Sequence, residues 1–286
     1  MKNYMFLVAL LVGILLGLAG SYAYFLFVRQ PRSYLVNTLG KVNAYNYLVS
    51  SYNPTLGLCS EFLGSNVYWV SHDNLLASYV LREWNRTVAD NITKTVISIA
   101  DDYGLEVSEE GLPLDCKMKA LLGYDVNFFF NDTETIILNN SYYGSVLMTE
   151  RTKIDSSLSF TNYGDMLCYA SLVEWRRENR SGADYYLDRA EAMWDGKGFN
   201  DTVAVQNGYY ATYKLGLFYM TSQILGRDFD FKEDLVELVW ACQVLDGGFK
   251  TDYYDVGSFP VTSKTNAETT AIILLTDIPT RLEITI

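Results

Sequence analysis

The sequence predicts a mainly α-helical body, an incomplete ring of helical hairpins with a small β-hairpin insertion, preceded by one membrane-spanning helix. Three observations carry this reading. Helix-length apolar segments recur between glycine or capping residues, with a period of about 45 residues. From about 105 to 158 the pattern changes to short β-branched and aromatic runs. At the amino terminus, Met5 to Val28 is an uncharged apolar stretch of 24 residues.

That first stretch, as a helix, measures about 36 Å, and the hydrocarbon core of a bilayer is about 30 Å. Lys2 precedes it and Arg29 and Arg32 follow. A cleaved signal ending at Ala19-Gly20-Ser21 is the competing reading, but the apolar run continues through Tyr22 to Val28. The expectation is an uncleaved single-pass anchor over 5–28, with residues 1–4 a cytoplasmic stub and 33–286 an extracytoplasmic domain. The flanking charges are nearly balanced, so orientation rests on six N-x-S/T sequons, at Asn85, Asn91, Asn131, Asn139, Asn179 and Asn200. They point to a glycoprotein displayed at the cell membrane.

A net charge of −12 and a pI near 4.6 exclude nucleic acid as a partner, because phosphate recognition needs a basic surface. The 23 tyrosines are read mostly as helix packing. With one histidine and four cysteines in no ligand spacing, neither a metal site nor a cofactor is expected. An exported chain permits disulfides, and Cys59 with Cys116 is the favoured pair because both read as loop residues; the other pairings stay open. Cys168 and Cys242, on apolar helical segments, read as buried thiols.

In order, residues 34–52 carry a helical apolar pattern that ends at Asn53-Pro54. Tyr68 to Asn74 opens a helix through Leu81, and another spans roughly 87–103 and closes at Gly104. Val126–Phe130 and Thr135–Leu138 flank Asn131-Asp-Thr-Glu134, which predicts a hairpin centred there; Ser145 to Ile154 adds a further strand. Helices resume over 165–178, 184–194, 207–225, 232–244 and 266–275. Two turns between them are alike: Trp194-Asp195-Gly-Lys-Gly-Phe199 and Leu245-Asp246-Gly-Gly-Phe249.

The stretch Gln243-Val-Leu-Asp246-Gly-Gly-Phe249 resembles the repeat of the α/α-toroid superfamily, the terpenoid cyclases and protein prenyltransferases, whose layout is shared with six-hairpin glycosidases. The resemblance implies outer and inner helices alternating around a centre. Helix starts at Asp73, Asp165, Asn207 and Asn266 can be laid over one another, at spacings of 92, 42 and 59 residues. They are expected on one face, where side chains would converge.

The catalytic candidates of that face are Asp73, Glu268, Asp165 and His72; the ligand-binding candidates are Trp69, Asn207, Tyr210, Trp194 and Asp246. Two carboxylates flanking a glycosidic bond would serve as acid and as base or nucleophile. Plainer roles compete: helix capping for Asp73, Asp165, Asn207 and Asn266, Asx turns for Asp195 and Asp246, and a surface or hydrogen-bonding position for the lone His72. The leading functional reading is a glycan-related protein with a carbohydrate-active cleft. The alternative is a non-catalytic surface protein that binds glycan or another protein. A prenyltransferase or terpene cyclase ranks last, since the zinc set and an Asp-x-Asp-Asp motif are missing.

Overall fold

The computed structural model describes residues 38–65, 68–104, 115–124, 126, 133–142, 145–152 and 160–278. The anchor over 5–28, the stub before it and Asn131 lie outside these residues. Among the described residues no helix is long and apolar enough to cross a membrane.

The body is mainly helical, with small sheets. Its elements run α1 Thr38–Ser51, β1 Tyr52–Asn53, β2 Leu58–Cys59, β3 Tyr68–Val70, α2 Ser71–Leu81, α3 Arg86–Tyr103, α4 Cys116–Leu122, β4 Thr133–Tyr142 and β5 Ser145–Thr152. They continue with α5 Gly164–Arg176, α6 Arg180–Glu191, α7 Thr202–Asn207, β6 Tyr210–Ala211, α8 Thr212–Leu225, α9 Lys232–Ala241, β7 Asp252–Tyr253 and α10 Ala267–Leu275.

Two helical layers arise from two kinds of sequence. α3 is amphipathic: Ala89, Ile92, Val96 and Ala100, three or four apart, form its buried stripe. By contrast α2, α5, α8 and α10 are buried along most of their length. Ile272, Ile273, Leu274 and Leu275 of α10 are at most 2% exposed, and each such side chain contributes about 1.5–3 kcal/mol by leaving water. α10 packs between α2 and α8, and α8 packs on α5, which makes an inner row α2–α10–α8–α5. Outside it α3 covers α2, α1 covers α10, α9 covers α8, and α6 covers α5 and α8. Gly216 lets α8 and α10 approach closely, since a Cβ there would stand 3.2 Å from the Ile273 Cα.

The ends of the row are covered by the insertion. β5 packs against α2, joined by the Ser71 hydroxyl donating to Thr149 at 2.7 Å, and α4 packs against α5. The antiparallel β4–β5 hairpin exists, but not where the sequence places it. β4 begins at Thr133 and the strands meet at the Tyr142↔Ser145 pair, so Asn131–Glu134 is not the turn centre. The polar run Asn131-Asp-Thr-Glu imitated a turn, yet its Thr133 and Glu134 are already strand residues of β4. β3 then pairs in parallel with β5, from Tyr68↔Val146 to Val70↔Met148, a long-range contact with no local signature.

Two further expectations are corrected. All four cysteines are buried and none is in a disulfide, so Cys59 and Cys116 are not joined. Neither sits in a loop: Cys59 closes β2 and Cys116 opens α4. Burial pushes the Cys59 and Cys242 thiols up to about 12, which leaves them protonated and inert. The helix expected from Asn207 also starts later. Asn207 ends the short α7, Gly208 turns the chain at φ +73°, and the inner helix begins at Thr212.

Candidate functional site at the inner-helix starts

The starts of α5, α8 and α10 lie together, with Thr212 in the place expected of Asn207. Tyr213, in the first turn of α8, donates its hydroxyl to Asp165, in the first turn of α5, at 2.8 Å. Glu268, in the first turn of α10, lies within electrostatic range of Tyr213 and of Tyr169. At α2, Asp73 is likewise within range of Tyr47 and Cys59.

Of the four residues expected to cap, only Asn266 does so, accepting from the Thr269 N–H at 2.9 Å. Val70 and Tyr163 occupy the cap positions of α2 and α5 without side-chain bonds. Asp73 and Asp165 sit just inside, in the first turn, where the helix dipole favours a negative charge. His72 is in the same first turn of α2 and is buried, not a surface loop residue. Trp69, on β3, is 2% exposed. Asn207 is exposed at the end of α7.

The group that holds this layer together is Lys214, 4% exposed on α8, which sequence reading missed. Its ammonium forms an ion pair with Asp201 and stands 3.7 Å from Asp165 Oδ1. Asp201 is saturated: Oδ1 accepts from the Val203 and Ala204 N–H groups, capping α7, and Oδ2 accepts from Lys214 and from Gly164 N–H. One carboxylate thus joins the starts of α5, α7 and α8. Burial would raise the Asp165 pKa, but the Lys214 charge with the Tyr213 hydroxyl outweighs it and holds the carboxyl below its ordinary value. The signal available in the sequence was a single lysine in the otherwise uncharged Thr212–Leu225 segment; a charge there must be paired.

Outside the buried layer is a second, exposed one. Asp195 Oδ1 accepts from Lys197 and Gly198 N–H, an Asx turn, and Oδ2 accepts from the Tyr210 hydroxyl at 2.7 Å. Lys197 pairs with Asp255 at 3.0 Å, and the Tyr209 and Tyr254 rings meet edge to face at 6.2 Å. β6 and β7 join these pieces through the Tyr210↔Tyr253 pair. Burial and then Asp195 push Tyr210 up to about 12, so it stays a hydroxyl donor at neutral pH.

Trp194 serves a different surface. Its ring stacks on Phe231 at 4.3 Å and lines a shallow groove of about 500 Å³ with Asp188, Glu191, Arg227 and Asp230. None of the inner-helix-start residues lines that groove, and Arg227 there is bonded to Asp184 and Asp188. Asp246 makes an Asx turn to Gly248 N–H and accepts from Thr265 Oγ1 at 2.9 Å. Among the described residues no group of three or more His, Cys, Asp or Glu is placed to hold a metal ion.

Compared with known proteins, the chain matches no protein-family model, no curated protein and no solved structure.

Proposed function

We propose that this chain is a membrane-anchored surface glycoprotein whose toroid-like helical body binds glycan without catalysing a reaction on it. One observation supports the choice against an enzyme: Asp165, at the start of an inner helix, and Asp201 beside it are engaged. Asp165 is tied to Tyr213 and approached by Lys214, and Asp201 has both oxygens filled. A glycosidase needs one carboxyl that holds a proton and one that is free to attack or to activate water, both facing an open cleft. A carboxylate with a depressed pKa and a buried ion pair is a poor proton donor near neutral pH.

Binding is placed on the exposed layer. Tyr209, Tyr210 and Tyr254 offer aromatic surface beside Asp195, Lys197 and Asp255. Ring faces take the apolar side of a sugar, and charged groups at their edge take its hydroxyls. The apolar run over 5–28 and the sequons support anchoring and export. The test is a glycan array on residues 33–286 followed by product analysis of any hit. Retained, chemically intact glycans, lost in Tyr210→Ala and Tyr254→Ala, fit the proposal. Cleaved glycans, or retention that survives both substitutions, would sink it.

A further inference from the structure

The four sequons whose asparagine side chains are described divide into two structural kinds. Asn85 and Asn179 are helix N-caps, the former accepting from Val88 N–H and the latter from Gly182 N–H. An asparagine at the cap with a hydroxyl residue in the first turn is good helix-start chemistry in its own right. The pattern N-x-S/T therefore arises at helix starts without any demand for a sugar. Asn91, on the outer helix α3, and Asn200, just before α7, are exposed as Asn179 is, but neither of their side chains bonds to the described residues.

Asn179 is the most engaged. Its Oδ1 caps α6, and its Nδ2 donates to Glu174 Oε2 at 2.5 Å, a carboxylate that is 8% exposed at the end of α5. Gly182 lies against the same nitrogen, where a Cβ would stand 2.5 Å from Nδ2. Attachment of a sugar from an activated glycosyl phosphate breaks the C1–O bond, with its electrons leaving on the phosphate. It forms C1–Nδ2 and releases one amide proton. At Asn179 one N–H remains on Nδ2, but the new bond must fit beside the Glu174 carboxylate and Gly182 and crowds the α5–α6 corner; at Asn91 and Asn200 it displaces only water.

We infer that Asn91 and Asn200 carry glycans and that Asn179 remains a bare asparagine, acting as a clamp between α5 and α6. Asn85 caps through its oxygen alone and stands on neither side of this contrast. The inference rests on export of the body. The full chain is made in a cell that N-glycosylates exported proteins, protease treatment of intact cells shows whether the body is outside, and glycopeptides are read by mass spectrometry. Sugar on Asn91 and Asn200 with Asn179 unmodified is the expected result. A modified Asn179, or bare Asn91 and Asn200 on a body that is outside, overturns the inference and leaves export standing. A protected, unmodified body overturns both. In a host without the transferase, Asn179→Gln should lower Tm by about 2–4 °C through the lost cap, whereas Asn91→Gln and Asn200→Gln leave it unchanged. Equal Tm for all three would remove the clamp.

Discussion

The two Asp-Gly turns of this body share one hydrogen-bond plan and have opposite surroundings. In the first, Trp194 bridges to Phe199, Asp195 closes an Asx turn, and its second oxygen takes the Tyr210 hydroxyl two residues ahead of α8. In the second, Gln243 bridges to Phe249, Asp246 closes an Asx turn, and its second oxygen takes the Thr265 hydroxyl two residues ahead of α10. Each aspartate thus fixes the entry of an inner helix. Yet Gly196 has open space around it, while a Cβ on Gly247 would stand 2.3 Å from the Asn43 carbonyl oxygen of α1. Gln243 also donates to the Gly40 carbonyl, again on α1. One copy is sealed by a helix and the other faces solvent. The motif is therefore a packing device, and among the described residues only its first copy has a turn glycine that no helix covers.

The largest effect should come from the group behind the open turn. Lys214→Met leaves Asp165 and Asp201 buried without their cation, and such losses cost about 3–5 kcal/mol. In the parent, the depressed Asp165 pKa contributes stability that is fully present above its ordinary value of 3.8 and is lost as pH falls through the folded value. In Lys214→Met that loss should begin at higher pH. Urea unfolding at several pH values checks both, and an unchanged acid profile would break the assignment.

Next are the turn glycines. Gly196 and Gly247 both have positive φ, +92° and +91°, so an alanine at either pays about 1–2 kcal/mol for the left-handed backbone. Gly247→Ala adds the collision with α1, worth about 1–3 kcal/mol more. Equal midpoints for the two variants in denaturant would mean that α1 does not seal the second turn. The smallest effect belongs to Tyr210→Phe, which removes a partly exposed hydrogen bond worth about 0.5–1.5 kcal/mol. Thermal melting should register little, while glycan retention should fall.

Much of this was legible in the sequence where the signal is local. Gly104 ends α3 in the left-handed region and Asn266 caps α10, both as their residue types predict. The repeated turn was visible as a motif. What escaped depends on distant partners: β3 finds β5 across 78 residues in the bond from Ser71 to Thr149, and nothing near Tyr68 announces it. Asp73 and Asp165 read as caps because a short acidic residue before an apolar run has that appearance; the backbone places the cap at Val70 and Tyr163 instead. Lys214 was overlooked because its importance comes from Asp165 and Asp201, which precede it by 49 and 13 positions.

The central claim is that the buried carboxylates build the body and the open turn meets the ligand. It is tested most directly by Asp165→Asn and Tyr210→Ala, each presented to the same glycan array with product analysis. Asp165→Asn should be less stable yet retain intact glycans wherever it stays folded, and Tyr210→Ala should fold normally and lose them. Glycans cleaved by the parent and left whole by Asp165→Asn would contradict the account.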